Sequence, residues 1–191
     1  MEKVNLMGKS IKVTLTKNRA FKENNLLLIR ESPMGLGVFA KENMAANSFI
    51  FRIQGSFLLF DATTRLGDKE SYCLQTDSNE YILLEAPFCF CNHSCEPNCG
   101  IRDGMTLFTI LPVSKGEELC WDYSTSMLER HWTMKCKCSS PQCRSMVRDF
   151  DFLPALTQER YLSMGIVMPF IEREIRAAST RELFFLSRTG T

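Results

Sequence analysis

Apolar and polar positions along this chain repeat with a short, strand-like rhythm for roughly two thirds of its length and with a helical one at its end. Residues 11–16, Ile-Lys-Val-Thr-Leu-Thr, alternate apolar with polar, the two-residue period of a half-buried strand. Leu26-Leu27-Leu28-Ile29 is a continuous apolar run and predicts a short buried strand. The turn Pro33-Met34-Gly35-Leu36-Gly37 separates it from a second one, Val38-Phe39-Ala40. Phe49–Ile53 and Phe57–Phe60 flank Gln54-Gly55-Ser56 and predict a hairpin, whereas the polar residues from Asp61 to Glu70 predict a loop. Tyr72–Thr76 and Tyr81–Leu84 bracket Asp77-Ser78-Asn79-Glu80 as another strand, turn and strand; Met105–Leu111 and Glu118–Trp121 add two further β-like segments. Short strands with recurrent turns up to about residue 123 indicate a mainly β architecture rather than alternating βα units. Beyond residue 150, Ala155–Met164 predicts a helix stopped by Gly165, and Pro169–Ala178 a second helix that begins on proline.

One stretch fits neither rhythm. Asn92-His93-Ser94-Cys95-Glu96-Pro97-Asn98-Cys99 packs two thiols, an imidazole, two carboxamides and a proline into eight residues. Its turn-forming residues predict a loop, and the apolar approach Pro87-Phe88-Cys89-Phe90-Cys91 starts that loop inside the core. Polar groups entering from a buried approach require partners from other segments.

Composition narrows the class. At 191 residues the chain has the length of one domain with a small appendage, and 45% hydrophobic with 24% charged residues is ordinary for a globular protein. A net charge of +1 gives no overall pull toward nucleic acid or an anionic membrane, so neither direct nucleic-acid binding nor a membrane is expected. No apolar run reaches the roughly 18 residues of a bilayer span, and Met1-Glu2-Lys3-Val4-Asn5 does not begin a secretion signal. Nine cysteines, an odd number, argue against a disulfide framework and for a reducing compartment with some thiols on metal. Cys136-x-Cys138-x4-Cys143 places three thiols within eight residues, which suits a tetrahedral zinc that lacks one ligand. Cys95 is the best candidate for the fourth; Cys91 and Cys99 are alternatives, and His131 reads as a surface residue.

Three motifs stand in fixed order before that loop: Gly35-Leu36-Gly37-Val38-Phe39-Ala40, Asn92-His93-Ser94-Cys95-x-Pro97-Asn98, and Gly116-Glu117-Glu118-Leu119-x-Trp121-Asp122-Tyr123. As a set they resemble the SET-domain protein lysine methyltransferases that carry a zinc-binding post-SET loop, over about residues 25–150. The resemblance implies a mainly β, β-clip-like fold of small curved sheets, with the Asp-Tyr segment threaded beneath the Asn-His-Ser-Cys loop as a pseudoknot. It implies a SET domain over 25–125, a post-SET zinc loop over 132–148 and a C-terminal helical cap over 150–180. By similarity, S-adenosylmethionine would meet Met34, Gly35 and Leu36 at its methionine end, Asn92 through its amino group and His93 through its adenine. Cys95, Cys136, Cys138 and Cys143 match the family's zinc ligands, and Tyr123 its catalytic tyrosine, which also faces the cofactor. Tyr72 is a candidate second catalytic tyrosine of the substrate channel, walled also by Trp121. The implied partner is a protein bearing a target lysine, a histone tail among the options. The implied location is intracellular: cytoplasmic or nuclear, or, for a bacterial source, cytoplasmic or delivered into a host cell.

Departures from the pattern qualify the match. Cys89 stands where the family often has Arg, Trp121 where Phe or Tyr is usual, and Ser139 and Ser145 where glycine is common. Glu117 and Glu118 read as turn residues, Asp122 as a structural hydrogen-bonding group, and His93 as packed rather than as a proton shuttle. Two other readings compete: a catalytically inactive, zinc-stabilised protein-binding module of the same fold, and a hydrolase pairing His93 with a nearby thiol. The second requires an oriented base and an activated thiolate, which adjacency in a loop does not supply.

Overall fold

A two-residue turn at Pro33 and Met34 closes the hairpin of β3 (Leu27–Ser32) and β4 (Gly35–Ala40), paired in register from Leu27↔Ala40 to Ser32↔Gly35. Gly35 takes φ of 107°, a conformation that side-chain-bearing residues avoid, and Ser32 Oγ accepts the Met34 N–H at 3.2 Å. The computed structural model describes residues 4–6, 9–11 and 26–178; apart from Ile11, the strand expected over 11–16 lies outside them. Among the described residues, β1 (Val4–Leu6) and β2 (Lys9–Ile11) pair antiparallel.

Residues 49–60 depart from expectation. Instead of one hairpin they form two strands of different sheets. β5 (Phe49–Arg52) pairs with β10 (Thr106–Thr109), which pairs with β9 (Cys99–Arg102). β6 (Gly55–Leu59) pairs with β8 (Glu80–Leu84), and β8 with β7 (Cys73–Asp77). The physical reason sits at Gly55: a Cβ there would lie 2.1 Å from the Leu83 carbonyl oxygen, so this glycine serves close approach to β8 rather than a tight turn. The expected loop over 61–70 instead contains the helical turn Phe60–Thr63 and the 3₁₀ turn Gly67–Tyr72. The hairpin of β7 and β8 forms as the sequence predicts.

All sheets among the described residues are small and antiparallel, and the β3–β4, β5–β10–β9 and β6–β8–β7 sheets share one core. Val38, Ile50, Ile101, Leu107 and Leu119 lie at its centre with Trp121, Phe88 and Phe150. The helix Ala155–Ser163 ends as predicted: Gly165 takes φ of 63°, its N–H bonds the Leu162 carbonyl at 3.0 Å and the Ile166 N–H bonds that of Tyr161 at 3.3 Å. Ile166 then packs where a Cβ on Gly100 would be, 2.4 Å from its Cγ2, which seats the tail on β9. Residues 169–178 are helical, with Phe170 and Ile171 buried. No helix among the described residues is long and apolar enough to cross a membrane.

Candidate functional site

The loop 92–99 is held by the extended segment 116–123, which is bonded to β4 on one side and to the loop on the other. Toward β4, Gly116 N–H bonds the Ala40 carbonyl at 2.7 Å, Ala40 N–H that of Glu117 at 3.0 Å, and Leu119 N–H that of Val38 at 2.8 Å. Toward the loop, Trp121 N–H bonds the Asn92 carbonyl at 3.2 Å, Ser94 N–H that of Trp121 at 3.0 Å, and Cys99 N–H that of Cys120 at 2.9 Å. Asn98 completes the join: Oδ1 accepts from Cys120 N–H at 2.9 Å and Nδ2 donates to the Glu118 carbonyl at 2.8 Å. A segment with no regular partner strand thus has its backbone satisfied by a carboxamide and two neighbours.

This junction brings the first candidate group together. Asn92 Nδ2 donates to Leu36 O at 3.1 Å, to Ser32 Oγ at 3.2 Å and to Glu118 Oε1 at 2.7 Å, so the amide is fixed against the 32–36 turn. Glu118 is not the turn residue the sequence suggests. Its backbone bridges Phe39, and its carboxylate fills the space a side chain on Gly37 would need, 2.2 Å from an ideal Cβ. Glu117, by contrast, does cap a turn, accepting the Ser114 N–H at 2.9 Å.

Tyr123 begins the 3₁₀ turn Tyr123–Ser126, capped by the Asp122 side chain, which accepts from Ser124 N–H. Its hydroxyl donates to the Cys91 carbonyl at 2.8 Å, and its ring packs on Trp121, His93 and Trp132 with centroids 4.9, 5.3 and 6.5 Å away. Burial pushes its phenol far above the ordinary range, with nearby thiols and Glu118 adding to the effect, so the hydroxyl stays protonated. His93 is 1% exposed; its Nδ1 accepts the Tyr123 N–H at 3.2 Å, which places its proton on Nε2, 3.3 Å from Cys95 Sγ. Nδ1 therefore has no proton to give Asp122 Oδ1, 3.5 Å away, and the contact is not an ion pair. Burial brings the imidazole down to about 4, against Asp122 and with help from Arg144.

The sulfurs of Cys95, Cys136, Cys138 and Cys143 all lie within 4.8 Å of one another. A tetrahedral ion bound at about 2.3 Å has sulfurs roughly 3.8 Å apart, and Cys95 and Cys136 are 3.7 Å apart. Backbone N–H groups point at three of the sulfurs: Arg144 at Cys95 (3.4 Å), Cys138 at Cys136 (3.5 Å) and Ser145 at Cys143 (3.4 Å). Weak donors directed at sulfur favour thiolate, the form that binds a metal ion. Ser139 and Ser145 have φ of 55° and 63°, the left-handed region in which glycine is at ease. Cys91 and Cys99, the alternative fourth ligands, are buried in the core instead.

Tyr123 also lines a cavity of about 50 Å³, together with Tyr81, Phe88, Trp121, Trp132, Glu70 and Glu129 among others. Cavities for whole cofactors run to several hundred Å³, so this one suits a single slender side chain. Tyr72 ends the 3₁₀ turn at its edge, 38% exposed, and does not line it, although Ser71 and Cys73 do. Tyr81 does, with its hydroxyl on Glu129. No local motif announces Tyr81, Gln75, Glu129 or Trp132. They meet because the β7–β8 hairpin folds over the segment after Tyr123.

Residues 35–124 match the family model described as the SET domain. These residues form a SET domain. The chain is 32% identical over 129 residues to histone-lysine N-methyltransferase ash1 of Drosophila melanogaster, a match covering 59% of this chain and 6% of that protein. It is 27% identical over 135 residues to the histone-lysine N-methyltransferase, H3 lysine-36 specific, of Saccharomyces cerevisiae, covering 62% of this chain and 18% of the relative. It is 24% identical over 138 residues to human histone-lysine N-methyltransferase 2D, covering 64% of this chain and 2% of the relative. The SET-domain chain thus corresponds to less than a fifth of the length of each of these relatives.

Proposed function

We propose that this SET-domain protein transfers a methyl group from S-adenosylmethionine to the side-chain amine of a lysine in a protein substrate. The observation that carries the reading is a link between two unlike sites: Tyr123 lines the aromatic cavity of about 50 Å³, and Trp121, two residues before it, donates its N–H to the carbonyl of Asn92, whose amide joins the 32–36 turn and Glu118. The names of the relatives point to a histone tail as the substrate class, in an intracellular setting.

The residues at the junction fit the cofactor. All of Asn92's side-chain contacts run through Nδ2, whose two protons are shared among three acceptors, so Oδ1 is free to accept from an ammonium. The Glu118 carboxylate has no lysine or arginine partner among the described residues, and suits a ligand with positive charge at its methionine end. When bound, S-adenosylmethionine supplies a methyl group activated by a sulfonium. Met34, Gly35, Leu36, Asn92 and His93 would hold it; Tyr123 would stand at the passage to the cavity. With its proton committed to the Cys91 carbonyl, the phenol presents oxygen lone pairs rather than an acid or base. Trp121 and Tyr123 wall the cavity, and their largely apolar rings favour the neutral amine that must attack. Alignment of amine and methyl then supplies most of the acceleration. Tyr72, on the exposed edge, would act at the mouth of the channel.

Zinc on Cys95, Cys136, Cys138 and Cys143 would be structural, since four thiolates close its shell. Through Cys95 and His93 it would brace the loop that carries Asn92. The test is labelled methyl transfer to core histones and to a degenerate lysine-centred peptide library, read by mass spectrometry. Methyl-lysine formed by the wild type and lost in Tyr123→Phe supports the reading. Cofactor binding without transfer to any lysine would support the inactive binding module instead.

A further inference from the structure

Hydrogen-bonding groups inside the aromatic cavity do not balance. Gln75 gives its Oε1 to Leu128 N–H at 2.8 Å, but its Nε2 has no partner, and neither has Trp121 Nε1. These side chains are only 3% and 4% exposed, and both line the cavity. Two carboxylates line the same cavity, Glu70 and Glu129, and Glu129 is the one without a histidine partner. Its Oε2 accepts from the Tyr81 hydroxyl and its Oε1 from Trp132 N–H at 3.3 Å, which leaves a lone-pair site on each oxygen. Its own backbone N–H donates to Asp149 Oδ1 at 2.8 Å and fixes where the side chain starts.

The neighbours do not neutralise it. Glu70 at the rim is taken by His131 Nε2 at 3.2 Å, and Asp149 is occupied by the N–H groups of Glu129 and Arg130. The Cys73 thiol is pushed up to about 11, by burial first and then by Glu70 and Glu129, and so stays neutral. No lysine or arginine pairs with Glu129 among the described residues. Burial raises its carboxyl, Asp149 adds to that, and the Tyr81, Trp132 and His131 contacts pull the other way. A raised carboxyl is a better proton acceptor than one in water.

We infer that Glu129 receives the substrate lysine's ammonium in this cavity and takes its proton before the methyl is transferred. The inference rests on the methyltransferase reading above. In the first step a lysine N–H bond breaks and a Glu129 O–H bond forms, giving a neutral amine and a neutral acid. In the second, the amine lone pair forms the N–C bond as the S–C bond breaks, its electrons returning to sulfur. The product leaves as a methylammonium, and Glu129 returns its proton to solvent through the mouth.

The test compares the pH profiles of kcat/KM for wild type, Glu129→Gln and Tyr81→Phe on the best acceptor in the lysine-centred library, with calorimetric S-adenosylmethionine binding as a control on folding. For the wild type we expect a bell, its acidic limb set by Glu129 and its basic limb by the substrate lysine. Glu129→Gln should bind the cofactor as the wild type does yet lose about 100-fold in kcat/KM at pH 7, recovering roughly tenfold per pH unit as solution supplies the base. Tyr81→Phe, which keeps the carboxylate but removes a donor that lowers its pKa, should move the acidic limb to higher pH. An unchanged rate and profile in Glu129→Gln, or a uniform loss at every pH, overturns the inference and leaves the methyltransferase reading standing. Absence of transfer by the wild type itself overturns both.

Discussion

Removing a single hydroxyl, by Tyr161→Phe, tests what ties the C-terminal helix to the segment that carries Tyr123. Tyr161 is fully buried, and its hydroxyl lies 3.0 Å from Asp122 Oδ2 and 3.4 Å from the Cys95 carbonyl; with one proton it serves the nearer, charged acceptor. Asp122 is itself buried, and its other partners are Ser124 N–H at 3.1 Å and Arg144 Nη2 at 2.7 and 2.8 Å. Phenylalanine keeps the ring and its packing, so the loss is confined to one hydrogen bond to a charged group, about 1.5–3 kcal/mol. For a chain of this size that lowers Tm by roughly 3–12 °C. Burial raises the Tyr161 phenol well above its usual value, with Asp122 adding, so the loss should not vary between pH 6 and 9. Arg144→Met should cost more, about 3–5 kcal/mol, because it leaves the Asp122 carboxylate buried without its countercharge. Thermal and urea unfolding of the metal-loaded protein, followed by circular dichroism, give both numbers. A Tyr161→Phe change within 0.5 kcal/mol of wild type (roughly the resolution of such data), or a ranking that puts it above Arg144→Met, would refute the reasoning.

Gly37→Ala places a methyl group 2.2 Å from Glu118 Oε1, so the carboxylate must leave Asn92; stability should fall by about 1–2 kcal/mol and the S-adenosylmethionine Kd should rise, both measurable on the purified variant. Dialysis against a strong chelator should release one zinc per chain and sharply lower Tm, because the ligand set closes only in the folded protein; a colorimetric zinc assay beside the melting curve checks this. The Cys89 thiol, pushed up to about 12 chiefly by burial, should react with iodoacetamide at pH 8 roughly a thousandfold more slowly than a free thiol. Its alkylation rate should keep climbing tenfold per pH unit beyond pH 9, where a free thiol levels off; mass spectrometry of the labelled peptide reads it.

Legibility from sequence divided along physical lines. Local periodicity was enough for the β7–β8 hairpin and for the helix ended by Gly165, since each is decided by residues near in the chain. It failed at Phe49–Phe60, because nothing local shows that Gly55 is there to let the Leu83 carbonyl approach, or that β5 prefers the distant β10. Motif spacing brought Asn92, His93, Cys95 and Tyr123 into view as a set. The role of Glu118 stayed hidden in an apparent turn, because the Asn92 amide that receives it lies 26 positions away. Tyr81 and Glu129, 48 positions apart, carry no signature at all; only the packing of β8 against the segment beyond Tyr123 makes them neighbours.

If the proposed activity holds, the junction of the 32–36 turn, Asn92 and Glu118 binds S-adenosylmethionine. Calorimetric titration of the zinc-loaded protein with S-adenosylmethionine, repeated on Asn92→Ala, tests it most directly. We expect saturable one-to-one binding in the wild type and at least tenfold weaker binding in the variant, the cost of one charge-assisted hydrogen bond. A folded, zinc-loaded wild type that gives no binding heat at any temperature tried, or an Asn92→Ala variant that binds as tightly, would contradict it.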